Sequence, residues 1–248
     1  MIIDHPKEKH VPALKVLWHE AFGDGYDVIG TFYANAYSPE RAFIATEGDL
    51  PVAAAYYFRC TAWGRPIAYV YAVAVAKSHR GRGICRLLLE EAHRRLAEEG
   101  FAGAVLVPAD EGLFGMYERL GYTATVYLSE THVSCSTLAT LLEERISAEE
   151  YARLRRELLP HGGTVQEDEG LTYLSAVAEL CRTQSGVAAV FKENGIPVSA
   201  EILGEDVSAY ASEGGSVRVR HPGADKRFAL YKSFDAAAAP TYFGIPFD

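Results

Sequence analysis

The sequence predicts an α/β fold in which a mixed β-sheet carries helices on its faces. Three observations predict it. Segments with helical spacing alternate with strand-like runs over residues 1–128. An apolar strand runs directly into a glycine-rich turn and an amphipathic helix in the stretch "VAVAKSHRGRGICRLLLEEA". Residues 147–248 mix further helix and strand signals. With 248 residues, 49% of them apolar, the chain is long enough to bury a core.

The first 128 residues are predicted to form two helices, three strands, and then a helix, a strand, a helix and a strand. The first two helices lie in "VPALKVLWHEAFG" and through Ile29 to Ala36, because apolar residues recur there every three or four positions. The later helices end at Gly100 and Gly121. The strand segments are "RAFIATEG", "PVAAAYYFRC", "PIAYVYAVAVA", "FAGAVLVP" and "YTATVYLS".

The rest of the chain is predicted to form a smaller α+β domain over residues 147–248. A polar connector, residues 131–146, joins it to the first domain, residues 1–130. The first helix of the second domain begins with a capping box, Ser147 with Glu150, and stops before Pro160. The other predicted elements are a helix over 171–182, a hairpin around Asn194–Gly195, and short strands over 217–220 and 227–231.

Composition and charge exclude several classes of protein. A net charge of -9 argues against a general nucleic-acid binder, whose surface would be basic. The longest apolar run, Ala68–Ala76, is too short to cross a bilayer, and the start shows no signal-peptide pattern. The four cysteines are far apart with no CxxC pair, which favours a reducing compartment over disulfides or a metal site. We therefore expect a cytoplasmic protein with no metal and with neither nucleic acid nor membrane as a partner.

The turn before the third helix, in "HRGRGICR", has the features of a site for a diphosphate-like anion. A helix N-terminus leaves backbone N–H groups unpaired and carries a partial positive charge. Gly81 and Gly83 allow the backbone to wrap closely around a phosphate, and Arg80, Arg82 and Arg86 surround them. An isolated RGRG would more often be a solvated basic turn. Its place between a strand and a helix favours the anion site.

This turn resembles the acetyl-CoA motif of the GNAT acetyltransferase superfamily, written R/Q-x-x-G-x-G/A. Arg80 and Gly83 occupy its first two fixed positions, and Cys85 stands where the family usually has glycine or alanine. Further along, "LFGMYERLGYTA" resembles the second motif of the superfamily, a helix bearing a tyrosine followed by Gly-Tyr and a strand. Two motifs at this separation are more specific than either alone. The flanking segments are similar to those of bacterial members with an extra C-terminal half, related to the enhanced-intracellular-survival acetyltransferases.

The resemblance implies a GNAT-like, mainly antiparallel mixed sheet flanked by helices, with a second, degenerate GNAT-like half. It implies acetyl-CoA as co-substrate and direct transfer to an amine in a ternary complex, without an acyl-enzyme. Phosphates would lie over the amides of the turn, and the pantetheine arm would add beside the preceding strand, where a backbone N–H stabilises the tetrahedral oxyanion. The residues implied in coenzyme binding are Val73, Val75, Arg80, Gly81, Arg82, Gly83, Ile84 and Cys85.

Tyr117 is the predicted general acid, because the resemblance places it where it can give a proton to the departing thiolate. The alternative is a core tyrosine, since Leu113, Met116 and Leu120 share its apolar helix face. Cys85, at a helix N-terminus, is an alternative candidate nucleophile, but its position in the motif is a packing position.

The motifs do not identify the base that takes the amine proton. Glu20, Asp24 and Asp27 lie in an early acidic segment, where they either bind a cationic acceptor or are solvated loop carboxylates. The C-terminal segment "PTYFGIPFD" is too apolar to stay in water, so we expect it to dock. Docking would bring the side chain and the α-carboxylate of Asp248 together, and two close carboxylates raise one pKa. Asp248 is therefore a candidate base.

The sequence thus predicts an N-acetyltransferase that moves acetyl from acetyl-CoA to a primary amine of a small molecule. The alternatives are a protein or peptide N-acetyltransferase and a non-catalytic module that binds coenzyme A as a sensor. The second half contains no second R-x-x-G-x-G/A motif, so it is expected to wall the acceptor pocket or to mediate a homodimer.

Overall fold

The computed structural model describes residues 1–247 and confirms the predicted fold class, a mixed, mainly antiparallel sheet flanked by helices. Each element predicted for residues 1–128 is confirmed, and a short N-terminal strand is added. The elements of the first half are β1 (Ile2–Asp4), α1 (Val11–Phe22), α2 (Tyr26–Asn35), β2 (Ala42–Glu47), β3 (Leu50–Ala62), β4 (Arg65–Val75), α3 (Ile84–Glu98), β5 (Gly103–Leu106), α4 (Glu111–Glu118) and β6 (Ala124–Val133).

The second half continues the same sheet. Only the N-cap half of its predicted capping box forms: the Ser147 hydroxyl accepts a hydrogen bond from the Glu150 N–H at 3.2 Å, whereas the Glu150 carboxylate accepts from Arg182. The predicted hairpin also turns at Asn194–Gly195. The elements are α5 (Cys135–Leu141), β7 (Leu142–Arg145), α6 (Ala148–Leu158), β8 (Val165–Gln166), α7 (Asp168–Val177), β9 (Ala178–Thr183), β10 (Val187–Glu193), β11 (Ile196–Leu203) and β12 (Val217–Ser233).

Three predicted segments of this half differ from the structure. The polar connector contains the end of β6, α5 and β7, because Leu138 and Leu141 supply a buried face that its overall polarity hides. The helix predicted over 171–182 ends at Val177, and the next residues form β9, since pairing with both β10 and β7 outweighs helical spacing. The two short strands at 217–220 and 227–231 are parts of one strand, β12, interrupted by an exposed bulge.

Strand β12 joins the two halves of the chain. It lies antiparallel to β6 along nearly its whole length. Its beginning pairs in parallel with β11, and its end pairs antiparallel with β5, where Leu230 lies opposite Leu106. The strand order therefore passes from β4 and β5 through β12 to β11, β10, β9 and β7. The predicted boundary at residue 130 falls inside β6, so the sheet is continuous across it.

The end of β12 also fixes the helices on the face of the first half. The Lys232 ammonium donates to the Leu120 carbonyl at 2.8 Å and lies 3.2 Å from His93 Nδ1. His93 Nε2 lies 2.8 Å from the Tyr122 hydroxyl. Burial, together with the charge of Lys232, lowers the pKa of His93 to about 3, so this ring is neutral at physiological pH. Strand β12 thus holds α3 and the end of α4 in place.

The C-terminal segment docks on the protein, as its apolar composition predicts. Tyr242, Phe243, Ile245 and Phe247 are buried in the same core cluster as α1 and α2. The Thr164 N–H donates to the Tyr242 carbonyl at 2.8 Å. Residues 240–247 are therefore part of the core wall and not a loose tail.

A buried ion pair lies beneath this segment. The Arg155 guanidinium donates to both carboxylate oxygens of Glu201, at 2.6 and 2.8 Å, and also to the Thr164 carbonyl at 2.9 Å. The Tyr151 hydroxyl donates to the same carboxylate at 3.0 Å. Each buried charge is paired and hydrogen-bonded, which limits the cost of its desolvation.

No helix within residues 1–247 is long and apolar enough to span a membrane.

The position of β12 predicts that the two halves unfold together. Leu230 is fully buried between β5 and β6, so Leu230→Ala should lower the free energy of unfolding by about 2 to 5 kcal/mol. Urea unfolding followed by tryptophan fluorescence reports on both halves, because Trp18 lies in α1 and Trp63 contacts His161 and the Ala239 carbonyl. The control Leu87→Ala changes an exposed leucine of α3 and should alter stability by no more than about 0.5 kcal/mol. A fluorescence transition unchanged by Leu230→Ala would contradict this coupling.

Candidate active site

A gap opens in the sheet where β4 separates from β5. The parallel ladder between these strands consists of Ala68 with Ala104 and Tyr69 with Val105. Beyond Tyr69, β4 continues to Val75 without pairing to β5. On the other edge, Ala72 and Val73 lie opposite Ala55 alone, which forms a β-bulge, and Ala72 has a φ of 48°. The regular ladder between β3 and β4 is thereby interrupted at this point.

The glycine-rich turn lies at the end of this gap. Gly81 and Gly83 have φ values of 74° and 75°, a region that side chains with a Cβ rarely adopt. Gly83 is the N-cap of α3, and no side chain caps the helix, so its first amides have no protein acceptor within the helix. These two features leave the amide groups at the start of α3 without an intrahelical or side-chain acceptor, an arrangement that is typical of anion-binding helix N-termini.

Contacts with neighbouring elements hold the turn in place. The Lys77 N–H donates to a carboxylate oxygen of Glu20 at 2.6 Å, which ties the turn to α1. Arg80 Nε donates to the Val75 carbonyl at 3.1 Å, and Arg82 donates to Glu47 at 3.0 Å. Within residues 1–247, Arg80 forms no ion pair, so its charge is not neutralised by a carboxylate.

A cavity of about 630 Å³ runs along this turn, and we call it the loop cavity. It brings together most of the residues that the sequence assigned to coenzyme binding, along with Tyr117. Arg82 does not line it, because its side chain turns to Glu47. The sequence-assigned residues that do line it are Val73, Val75, Arg80, Gly81, Gly83, Ile84, Cys85 and Tyr117.

A second cavity of about 390 Å³ borders β4 from Tyr69 to Val73, and we call it the aromatic cavity. Trp18, Tyr71, Tyr173 and Phe247 contribute to its wall, so both halves of the chain form it. The Tyr71 hydroxyl donates to the Phe247 carbonyl at 2.7 Å, which fixes the C-terminal segment against β4. The two cavities share Phe22, Val73, Ala109, Leu113 and Tyr117 in their walls and therefore adjoin at the bulge of β4.

Tyr117 lies where the two cavities adjoin. Its side chain belongs to the apolar face of α4, as the core alternative predicts, and is 8% exposed. Burial raises the pKa of its hydroxyl well above the usual value, with smaller contributions from Cys85 and Asp110. The hydroxyl is therefore protonated at physiological pH and can act as a proton donor towards either cavity.

Cys85 is unsuited to nucleophilic chemistry. Burial raises the pKa of its thiol to about 11, whereas reactive cysteines have pKa values lowered by nearby positive charge. It packs against the core cluster formed by α3 and the sheet. The structure therefore supports the packing interpretation of this motif position.

The acidic residues that could bind a cationic acceptor or act as the base lie in different surroundings. The Glu20 side chain accepts the Lys77 N–H, and Asp27 lies exposed in the first turn of α2. Asp24 alone of the three lines the aromatic cavity. Asp248 lies outside the described residues, although Phe247 before it contributes to the cavity wall.

Sequence reasoning missed most of the aromatic cavity. Trp18 is assigned by its spacing to a helix face, and Tyr173 belongs to a different half of the chain. Their proximity depends on α7 packing against β3, for which there is no local sequence signal, and on the docked C-terminal segment. The apolar C-terminal segment was the one usable hint.

Comparison with known proteins gives a family match to the first half. Residues 3–125 match the family model of an acetyltransferase (GNAT) domain. Among curated proteins, N-acetyltransferase Eis of Mycobacterium tuberculosis is 40% identical over 68 residues, which cover 27% of this chain and 16% of that relative. The matched stretch is thus a small part of the relative's length.

Solved structures resemble nearly the whole chain. The GCN5-related N-acetyltransferase from Kribbella flavida has a TM-score of 0.65 at 17% identity, covering 95% of this chain and 72% of that one. Eis1 from Mycobacterium abscessus has a TM-score of 0.60 at 12% identity, covering 95% and 74%. A putative acetyltransferase from Pyrococcus horikoshii has a TM-score of 0.56 at 13% identity, covering 98% and 91%. At these identities the likeness shows that the fold is shared.

Proposed function

We propose that this chain, which belongs to the GNAT acetyltransferase superfamily, transfers an acetyl group from acetyl-CoA to a primary amine of a small molecule. One observation carries the proposal. The loop cavity and the aromatic cavity adjoin at Val73 and Tyr117, so a donor in one and an acceptor in the other would meet at these residues. Holding both reactants in this way supplies the orientation that direct transfer needs.

The loop cavity suits coenzyme A. The uncapped start of α3, the two glycines with positive φ, and Arg80, which forms no ion pair within residues 1–247, are suited to a pyrophosphate. The unpaired edge of β4 beyond Tyr69 offers backbone groups to the amides of a pantetheine arm. The Val75 carbonyl is already an acceptor for Arg80, so the pantetheine would rely more on the bulge around Val73.

The reaction that fits this arrangement is direct attack of a neutral amine on the thioester. The nitrogen forms a bond to the carbonyl carbon, and a backbone N–H at the Ala72–Val73 bulge stabilises the oxyanion. The carbon–sulfur bond then breaks, and Tyr117 gives its proton to the sulfur. The base, which has first taken one proton from the bound ammonium and released it to solvent, removes a second proton from the nitrogen, which leaves an acetamide and the free thiol. Tyr117 recovers its proton from solvent.

The aromatic cavity suits a compact acceptor. Its volume, about 390 Å³, lies near the lower end of the range of about 300 to 1,000 Å³ that is usual for small-molecule sites. Asp24 in its wall offers a carboxylate to a cationic amine. The test of the proposal as a whole is release of free thiol from acetyl-CoA in the presence of small amines. Absence of both turnover and acetyl-CoA binding in calorimetry would overturn it.

Gly83→Ala should weaken acetyl-CoA binding. Alanine at a φ of 75° costs about 1 to 2 kcal/mol and shifts the amides that face the pyrophosphate. Isothermal titration should therefore give a Kd raised by at least about tenfold, the equivalent of 1.4 kcal/mol. Gly100→Ala is the matched control, because Gly100 has a φ of 89° at the far end of α3 and carries a similar strain away from the loop cavity. Equal affinities of the two variants would contradict the assignment of the turn.

Tyr117→Phe should lower kcat while activity remains detectable. Loss of a positioned general acid costs about 10²- to 10⁴-fold, and the Kd for acetyl-CoA should stay within about twofold because the ring remains. Steady-state thiol release measures the first quantity and calorimetry the second. Tyr127→Phe removes the same hydroxyl from an exposed tyrosine of β6 and should leave kcat unchanged. A Tyr117→Phe enzyme with full kcat would leave Tyr117 with a packing role alone.

We also propose Asp248 as the base, because it directly follows Phe247 in the sequence and Phe247 is part of the wall of the aromatic cavity. Asp248→Asn should lower kcat/KM most strongly near neutral pH and less at high pH, where more of the amine is already neutral. The pH profile of thiol release tests this. An unchanged profile would remove Asp248 from the mechanism and leave the base unassigned.

A further inference from the structure

We propose that the acceptor is a monoamine with an apolar body, preferably an aromatic one, and that Asp24 selects its charged nitrogen. This inference rests on the proposed function and narrows its substrate class. It depends on four features of the aromatic cavity: the fixed position of Asp24, the absence of a cation that neutralises it, the apolar wall, and the apolar rim.

Two side chains of α1, Trp18 and His19, fix the position of Asp24. Trp18 Nε1 donates to Asp24 Oδ2 at 2.7 Å, and His19 Nδ1 lies 2.7 Å from the Asp24 carbonyl oxygen. Within residues 1–247, the other carboxylate oxygen, Oδ1, has no hydrogen-bond partner. The carboxylate is therefore preorganised, with one oxygen available to a ligand.

The charge of Asp24 is not balanced by the protein around it. Among the described residues, Asp24 forms no ion pair, and the cavity wall contains no lysine, arginine or histidine. Burial, with a smaller contribution from this carboxylate, raises the pKa of Tyr71 and Tyr173, so its field reaches the far wall of the cavity. A carboxylate that is partly buried without a cation is stabilised by a cationic ligand.

The rest of the wall favours an apolar body for the acceptor. Trp18, Tyr173 and Phe247 present aromatic surface, and Val28, Val107 and Leu113 present aliphatic surface. Aromatic rings in such a site prefer edge-to-face or offset contacts with another ring. An acceptor covered with hydroxyl groups would leave many of them without partners, at about 1 to 3 kcal/mol each.

The rim extends this apolar surface to the outside. Phe22 and Val28 of the cavity wall are 44% and 47% exposed, and Tyr26, which lies between them in the sequence, is 56% exposed. The rim is ordered, because the Tyr26 ring stacks on His19 at 5.0 Å and the Phe22 ring lies edge-on to Trp18 at 6.0 Å. A ring entering the cavity would remain in apolar surroundings along its whole path.

These features disfavour acceptors with several charges. Asp24 is the carboxylate that the described residues place in the wall, and the base proposed at Asp248 acts on the same reacting nitrogen, so a second ammonium group would lie among aromatic and aliphatic side chains. In a monoamine, the nitrogen drawn in by Asp24 is also the nucleophile, so it loses one proton to the base before it attacks. Asp24 thus acts on binding and is not itself required to accept the proton.

The experiment compares three amines with the full chain, each followed by thiol release from acetyl-CoA. The amines are 2-phenylethylamine, cadaverine and glucosamine. Cadaverine adds a second charge to an apolar chain, and glucosamine replaces the apolar body with a hydroxylated one. We expect kcat/KM for 2-phenylethylamine to exceed that for each of the others by at least about tenfold.

Variants then assign the selection to Asp24. Asp24→Asn keeps an acceptor for Trp18 Nε1 and removes the charge, so KM for 2-phenylethylamine should rise about 10- to 100-fold with kcat changed less than about threefold. Asp27→Asn is the matched control, since Asp27 lies on the surface of α2 outside the cavity, and its KM should stay within about twofold. Phe22→Ser alters an exposed rim residue and should raise KM for 2-phenylethylamine more than for cadaverine.

The outcomes separate this inference from the proposed function. Turnover that is faster with cadaverine or glucosamine would overturn the inferred acceptor class and leave the acetyltransferase activity established. A fall in kcat with unchanged KM in Asp24→Asn would overturn the selective role of Asp24. An absence of turnover with every amine, together with no binding of acetyl-CoA, would overturn the proposed function and this inference with it.

Discussion

The insertion of β12 between β5 and β6 is the constraint on which the rest of the structure depends. It supplies the partner that β5 needs along one edge, while β4 pairs with β5 over two residues and then diverges. Because β5 is held by β12, the divergence of β4 does not open the sheet further. The same strand carries Lys232 to the end of α4, so the helix that bears Tyr117 is fixed by the last part of the chain.

The fold of the first half was predictable because its signals are local. Helix spacing, terminal glycines and apolar runs identified every α-helix and strand of residues 1–128 apart from β1. The second half was less predictable, because its strands depend on distant partners. β9 pairs on both sides, and β12 accommodates Pro222 and Gly223 in a bulge, where the sequence alone indicates a break between two strands. Pairing over long sequence separations overrides local preference there.

The candidate site was likewise predictable only where its sequence signals are local. The turn around Gly81 and Gly83 was predictable, since a short motif contains its whole geometry, and the tyrosine of α4 came from a second motif. The aromatic cavity was not, because its wall is assembled from α1, β4, α7 and the C-terminal segment. Asp24 could be named from sequence as one of three acidic residues. Its distinction from Glu20 and Asp27 required the positions of Trp18 and the cavity.

The two cavities differ in which parts of the chain build them. The wall of the loop cavity comes entirely from residues 21–120, whereas Tyr173 and Phe247 of the second half complete the aromatic cavity. Under the proposed function, changes in α7 and the terminal segment would therefore alter the acceptor side of the site and leave the coenzyme side unchanged. For engineering, the same separation makes these two segments the natural place to randomise.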